Sequence, residues 1–344
     1  MRVTVIGGTG FIGQHVLARL AQQGHEVTVV HRGEHEPELP PSVRHVHDEK
    51  AAVPVLEFPR ELMAGATDVV IHMVLVGERD AEAAVRAFHG VAGRMVAISS
   101  GDVYRAYGQL IGSEPDAGDA RDAHAALLSE DAPLRRALYP YGREATGPWG
   151  PLRDYDKILV ERVVMSAPGL AGTALRLPRV YGPGDRQHTL LPFIRRMLDQ
   201  RPAILLGAAQ ARWRWTHGYV ENVADAIAAA ATDERAAGHI YNVGEPATPT
   251  VEERVRMLGG VVGWSGDIVI LPDDRLPRHL AGPYSYASDL AFDTSRIRDE
   301  LEWTEFITAD EGLRRTAHWE RTADPTSTRL EYAVEDAALS TDRG

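Results

Sequence analysis

The stretch RVTVIGGTGFIG, Arg2–Gly13, sets three glycines three residues apart, Gly7, Gly10 and Gly13, between a β-branched run and the segment GQHVLARLAQQG. The β-branched run reads as a short buried strand. The segment after it has helical spacing and a glycine stop at Gly24. In a turn of this kind the first glycine permits the tight bend. The second lets backbone approach a pyrophosphate, and the third lets the helix pack on the sheet. The helix N-terminus then presents free N–H groups and its positive dipole end to phosphates. Thr9, Phe11 and Ile12 share the loop and are candidate contacts with Gly7, Gly10 and Gly13.

Working outward, HEVTVVHR, VRHVHD, ATDVVIHMVLV and GRMVAISS read as further strands, with ERDAEAAVRAFHGVA as a helix among them. Strands alternating with helices predict parallel βαβ units, hence an α/β, Rossmann-type doubly wound sheet. From Tyr104 to Asp156 the rhythm breaks into Gly, Pro, Asp and Arg. This predicts a partly mobile insertion, about 105–150, near the site mouth. DKILVERVVMSA, LLPFIRRMLDQ and VENVADAIAAAAT then read as helices, and GTALRLPRVYG and HIYNVG as strands. The expected division is 1–176 mainly dinucleotide-binding, 177–321 mainly a smaller C-terminal substrate lobe, and 322–344 a polar, loosely attached tail.

The chain has 344 residues, 44% apolar and 25% charged, normal proportions for a globular enzyme. It has no cysteine, which excludes disulfides, a thiolate nucleophile and cysteine-ligated zinc. No apolar run reaches the roughly 18 residues of a membrane span, and MRVTVIGG shows no signal-peptide layout, so a cytoplasmic location is expected. A formal net charge of −12 argues against a nucleic-acid partner.

The end of the second strand selects the cofactor. An acidic residue there would accept from the adenosine ribose, but this chain has His31 and Arg32. A guanidinium at that place suits a 2′-phosphate, so NADP is expected, with NAD the alternative. Asp48, after the third strand, is placed to reach the adenine amine. The histidines of HRGEHEPELPPSVRHVH lack ligand spacing on a defined element and read as loop, not as a metal site.

GGTGFIG, TDVVIHM, AISSGDVY, DKILVE, LRLPRVYGPGD, YVENVADAI, YNVGE and DTSRIRDELEW together resemble the extended short-chain dehydrogenase/reductase family, the NAD(P)-dependent sugar epimerases and dehydratases. The resemblance implies hydride transfer on a nucleotide-sugar or a related polar carbonyl or alcohol. It makes Ser100 and Lys157 catalytic. It puts cofactor contacts at Met73, Val74, Ser99, Lys157, Leu177, Pro178 and Val180, and substrate contacts at Ser100, Tyr104 and Arg179. A homodimer is compatible with it.

One departure bears on the chemistry. The family's helix carries a tyrosine four residues before the lysine, and Arg153 stands there. Residue i−4 shares the lysine's helix face, whereas Tyr155, at i−2, would face away from a formed helix. Arginine cannot act as the acid/base. Three resolutions stay open. The helix starts late and Tyr155 turns inward; Tyr141, in YPYGREA, enters from the insertion; or the redox step is lost and the chain only binds cofactor. A second rival is an RNA-associated member similar to the chloroplast stem-loop binding proteins. Asp102 could serve as a general acid, though a cap on its loop is the preferred reading. Arg212 and Arg214 in ARWRWTH could clamp a diphosphate, and His217 reads as structural.

Overall fold

The computed structural model describes residues 1–115, 127–142, 153–322 and 330–342. Parts of the expected insertion and tail, 116–126, 143–152, 323–329 and 343–344, lie outside the described residues. Along the chain, β1 (Arg2–Ile6), α1 (Gly13–Gln22), β2 (Glu26–His31), β3 (Arg44–His47), α2 (Arg60–Ala64), β4 (Val69–His72), α3 (Glu78–Phe88) and β5 (Arg94–Ser100) come first. α4 (Arg105–Leu110), α5 (Lys157–Met165), β6 (Ala171–Leu177), β7 (Arg179–Tyr181), α6 (Leu191–Leu198), β8 (Ala203–Gly207), α7 (Ala208–Arg212) and β9 (His217–Tyr219) follow. The last elements are α8 (Val220–Thr232), β10 (Ile240–Asn242), α9 (Val251–Val262), β11 (Asp267–Leu271), α10 (Ser295–Leu301), α11 (Ala309–Thr322) and α12 (Tyr332–Asp342).

Seven strands form one parallel sheet in the order β10-β6-β5-β4-β1-β2-β3. β1 beyond Arg2 and all of β4 are buried, which is why both are dominated by β-branched residues. Val16, Leu17 and Leu20 line one stripe of α1 and pack on the sheet beside the alanine-rich α8. Each such burial stabilises by roughly 1.5–3 kcal/mol. The opposite face is covered by α3 and α5 through Ala84, Phe88, Val160 and Val164. The order reverses between β1 and β4, and a crevice opens at the carboxyl ends of the strands there.

A second apolar cluster joins β8, α6, α9 and α11 through Ile194, Ile204, Leu206, Leu258 and Leu313. β8 pairs with β11 in a separate two-stranded sheet. The tail differs from the loose segment expected. α12 docks through Glu335, which is buried and paired with Arg196 (2.5 Å) and His279 (3.0 Å). Polar composition alone hid this, because the docking group is a carboxylate. No helix of the described residues is long and apolar enough to cross a membrane.

Candidate active site

The glycine loop closes as its spacing implies. Gly7 has φ +75°, and a Cβ there would lie 2.7 Å from the Val74 side chain. A Cβ on Gly13 would lie 2.5 Å from the Gly8 carbonyl oxygen, so α1 can pack this tightly only on glycine. Gly10 faces open space, with no atom within 4 Å of its Cβ position. The cradle therefore has room for a phosphate group against the α1 N-terminus. Gly7, Thr9, Gly10, His31, Arg32, Val74 and Arg186 line one cavity. Arg32 is half-exposed and pairs with Glu34 at 2.8 Å. Met73 donates its N–H to the Ile6 carbonyl beside the loop (3.0 Å).

A cleft of about 690 Å³ leads from Phe11 and Ile12 to Ser99, Ser100, Asp102, Tyr141, Tyr155, Lys157, Leu177, Pro178, Arg179 and Val180. Its chemistry depends on where α5 starts. Asp156 is the N-cap, extended at φ −159°, and its carboxylate accepts from the Ile158 N–H (3.0 Å). The helix therefore begins at Lys157, and Tyr155 lies in non-helical chain before it. The face rule does not apply there. Tyr155 turns into the cleft, while Arg153 stays at the surface with 66% of its side chain exposed.

The Tyr155 hydroxyl donates to Asp102 Oδ2 at 2.6 Å and also bonds Ser100. Lys157 Nζ sits 5.5 Å from the Tyr155 ring centroid and donates to the carbonyls of Leu75 and of Ile98 (2.9 Å). Burial and the Asp102 charge raise the Tyr155 phenol well above its ordinary value. Burial likewise raises Asp102, against Tyr155, Arg135 and Lys157. Burial lowers Lys157, opposed by Asp102, Asp80 and Glu161. Tyr141 stacks near Tyr155 with centroids 5.3 Å apart, and its hydroxyl bonds that of Tyr107 at 3.1 Å. Burial pushes the Tyr141 phenol up to about 12.

Asp102 corrects the cap reading. Ser100 Oγ, not Asp102, caps the short turn, accepting from the Asp102 N–H (3.2 Å). Asp102 Oδ1 is buried without a partner among the described residues. Ser99 lines the cleft, but its hydroxyl donates to Glu161 (2.5 Å), itself clamped by Arg176 at 2.8 and 2.9 Å.

A second cavity of about 420 Å³ adjoins the cleft, sharing Arg179, Trp215, Pro283 and Tyr284 with it. Arg179 lies 4.9 Å from the Trp215 ring centroid. Arg254 enters from α9, 4% exposed. One nitrogen donates to Glu245 (2.6 Å), while Nε and the other terminal nitrogen have no partner among the described residues. A buried guanidinium with free donors is an anion receptor. It lies within TVEERVRM, in the first turns of α9. His217, read as structural, also lines the cavity; burial beside Arg254 and Arg179 lowers it well below its ordinary value.

Four expected contacts stand elsewhere. Tyr104 is fully buried, bonded to Asn242 (2.6 Å) and Arg176 (3.0 Å), because its ring fills the core between sheet and insertion. Arg212 is exposed at the end of α7, and Arg214 donates to the Thr248 carbonyl (2.6 Å); neither lines the cavities. Asp48 accepts from the Lys50 N–H (3.0 Å) and does not line the glycine-loop cavity. The histidine stretch is also not simply loop. His31 ends β2, and His45 and His47 lie on β3.

The comparisons with known proteins follow this geometry. The chain is 29% identical over 326 residues to dTDP-6-deoxy-L-talose 4-dehydrogenase (NAD(P)(+)) of Kitasatospora kifunensis, covering 91% of this chain and 93% of the relative. It is 29% identical over 287 residues to 2-alkyl-3-oxoalkanoate reductase of Stenotrophomonas maltophilia, 76% of each chain. Its fold matches UDP-glucuronic acid 4-epimerase of Bacillus cereus, solved with UDP-glucuronic acid and NAD, at TM-score 0.64 and 17% identity, over 93% of this chain and 99% of that one. The profile described as "NAD dependent epimerase/dehydratase family" matches residues 3–118 and 135–244. Sheet order, glycine cradle and profile agree: the chain belongs to the NAD dependent epimerase/dehydratase family and is an NAD(P)-dependent enzyme of the hydride-transfer class.

Proposed function

We propose that the chain reduces a carbonyl group of a nucleotide-linked sugar with NADPH, Tyr155 giving the proton. The observation that carries the reading is the entry of Tyr155 from non-helical chain before α5 into the cleft of Lys157, Ser100 and Asp102. When bound, the dinucleotide supplies the hydride. Tyr155 donates its hydroxyl proton to the substrate oxygen, and Ser100 holds that oxygen. Lys157 stabilises the phenolate that remains. Asp102 orients the phenol and keeps it protonated at neutral pH, which suits a proton donor better than a base. Tyr141 packs beside it as support.

The division of labour follows the cavities. Residues 1–176 hold the dinucleotide, and residues 177–321 supply the substrate side, since the second cavity is lined from Arg179 to Tyr286. Arg254 and Arg179 suit a diphosphate, and Trp213, Trp215 and Tyr284 offer aromatic faces to a base. The second cavity's size, about 420 Å³, falls within the usual range for small-molecule sites. The dTDP-sugar dehydrogenase likeness supports the substrate class.

Preference for NADPH is supported by Arg32 and Arg186 lining the glycine-loop cavity. NADPH and NADH titrated into wild type and Arg32→Ala test this. Losing one charge-assisted contact should cost roughly tenfold or more of the NADPH preference. An unchanged preference would remove Arg32 from the assignment. For the reaction, purified protein and NADPH are mixed with keto-sugars linked to dTDP or UDP and with a 3-oxoalkanoate, and nicotinamide absorbance is followed. Oxidation driven by a nucleotide-linked sugar is expected. Turnover of the oxoalkanoate alone, or NADPH binding without turnover of any carbonyl, would overturn the reading.

A further inference from the structure

We propose that His31, His45, His47 and Glu36 form a binding site for a divalent transition metal of zinc type, outside the hydride-transfer cleft and sharing His31 with the wall of the glycine-loop cavity. The register of two strands builds it. β2 and β3 are parallel neighbours, and His31 stands opposite His47. Side chains alternate along a strand, so His45 and His47, two apart, share a face, and His31 joins them across the pair. The loop after β2 returns Glu36 to the same place. One ligand atom from each of the four residues lies within 4.8 Å of all the others.

The contacts already point the donor atoms at one another. His31 Nε2 meets His45 Nδ1 at 2.9 Å, and His47 Nε2 meets Glu36 Oε1 at 2.5 Å. The His31 ring is edge-on to both others, with centroids 5.1 and 4.6 Å away. Three imidazoles and one carboxylate make a donor set for zinc, cobalt or nickel, and favour them over calcium or magnesium. Zinc–nitrogen bonds of about 2.0–2.1 Å put tetrahedral ligand atoms about 3.4 Å apart, so small ring rotations complete the shell. The cation replaces the protons now shared within the two bonded pairs. Loading also takes from the Gly33 N–H its long bond to His31 Nδ1 (3.2 Å), at a glycine with φ +82° that can yield. His31 is buried, while His47 and Glu36 are half-exposed, so a metal can reach the site from solvent.

Zn²⁺ is titrated by calorimetry into the metal-stripped, tag-free full chain, and Co²⁺ binding is followed by its visible absorption. One saturable metal per chain, the strong visible bands of tetrahedral Co²⁺ and a rise in melting temperature with Zn²⁺ are expected. His45→Ala, His47→Gln and Glu36→Gln should each weaken binding at least tenfold. Melting in chelator shows whether each variant is folded. If His45→Ala is not, the two half-exposed positions decide. Absence of saturable one-to-one binding, or binding unchanged in both His47→Gln and Glu36→Gln, would overturn the site.

Discussion

At the scale of single residues, the arrangement turns on Asp102. Its carboxylate is buried, bonded to Tyr155 through one oxygen, and without a partner on the other among the described residues. Burial raises its pKa in the folded chain, so folding favours its protonated form. The cost to stability is absent below the ordinary carboxylate range and grows as pH rises through the folded value. Asp102→Asn keeps an acceptor for Tyr155 and removes the charge. Relative to wild type, the variant is expected to be more stable at about pH 8 than at about pH 4. Urea unfolding of both proteins across that range checks this, and a difference independent of pH would contradict it. Asp102 was legible as a general-acid candidate or a loop cap, but not as a buried partner of Tyr155. Its burial depends on Arg135 from the insertion, whose side chain donates to the Asp102 carbonyl from a distant place in the sequence.

At the scale of elements, the start of α5 decides which side chain meets Lys157. Sequence periodicity placed the helix but not its first residue, and a shift of one or two positions reverses the facing of Tyr155. The local cause is Asp156. Besides capping Ile158, it accepts from the Tyr139 N–H (2.7 Å) and pairs with the fully buried Arg135 side chain at 3.3 Å. Asp156→Ala would strip the cap and leave Arg135 buried beside a lost charge. Breaking such a pair costs about 3–5 kcal/mol. Denaturant midpoints of variant and wild type measure it. A cost near that of a surface cap alone, about 1 kcal/mol, would show that the pair does not hold the segment. The tight packing of the glycine loop, by contrast, was legible from its spacing. Its constraints are steric and local, and the Gly8 carbonyl against Gly13 needs no distant partner. The histidines were missed for the opposite reason: their convergence needs the β2–β3 register, not their spacing.

At the scale of the whole molecule, the parallel doubly wound sheet was readable because strands and helices alternate along the chain, but its strand order comes from the structure. The substrate side was readable only in part. Arg179 was expected there together with Arg212 and Arg214, while the cavity is lined by Arg179 and by Arg254 of α9, 75 positions on. Within the expected tail, α12 is held through Glu335. Burial works against the Glu335 charge, and Arg196 and His279 outweigh it, so its pKa is lowered. That stabilisation is present above the ordinary glutamate range and is lost as pH falls through the folded value. Glu335→Ala is expected to cost about 3–5 kcal/mol by leaving Arg196 buried and unneutralised, and to expose the α12 segment to limited proteolysis. A tail equally resistant in variant and wild type would show that other contacts dock it.

The most direct test of the central claim is the turnover of Tyr155→Phe, which keeps the ring and deletes the hydroxyl. It is measured beside Tyr141→Phe with NADPH and the nucleotide-linked keto-sugar that wild type reduces. Tyr155→Phe should retain NADPH binding and lose about 10²–10⁴-fold in kcat, with Tyr141→Phe far less affected. Wild-type turnover in Tyr155→Phe, or a loss confined to Tyr141→Phe, would contradict the assignment of the proton donor to Tyr155.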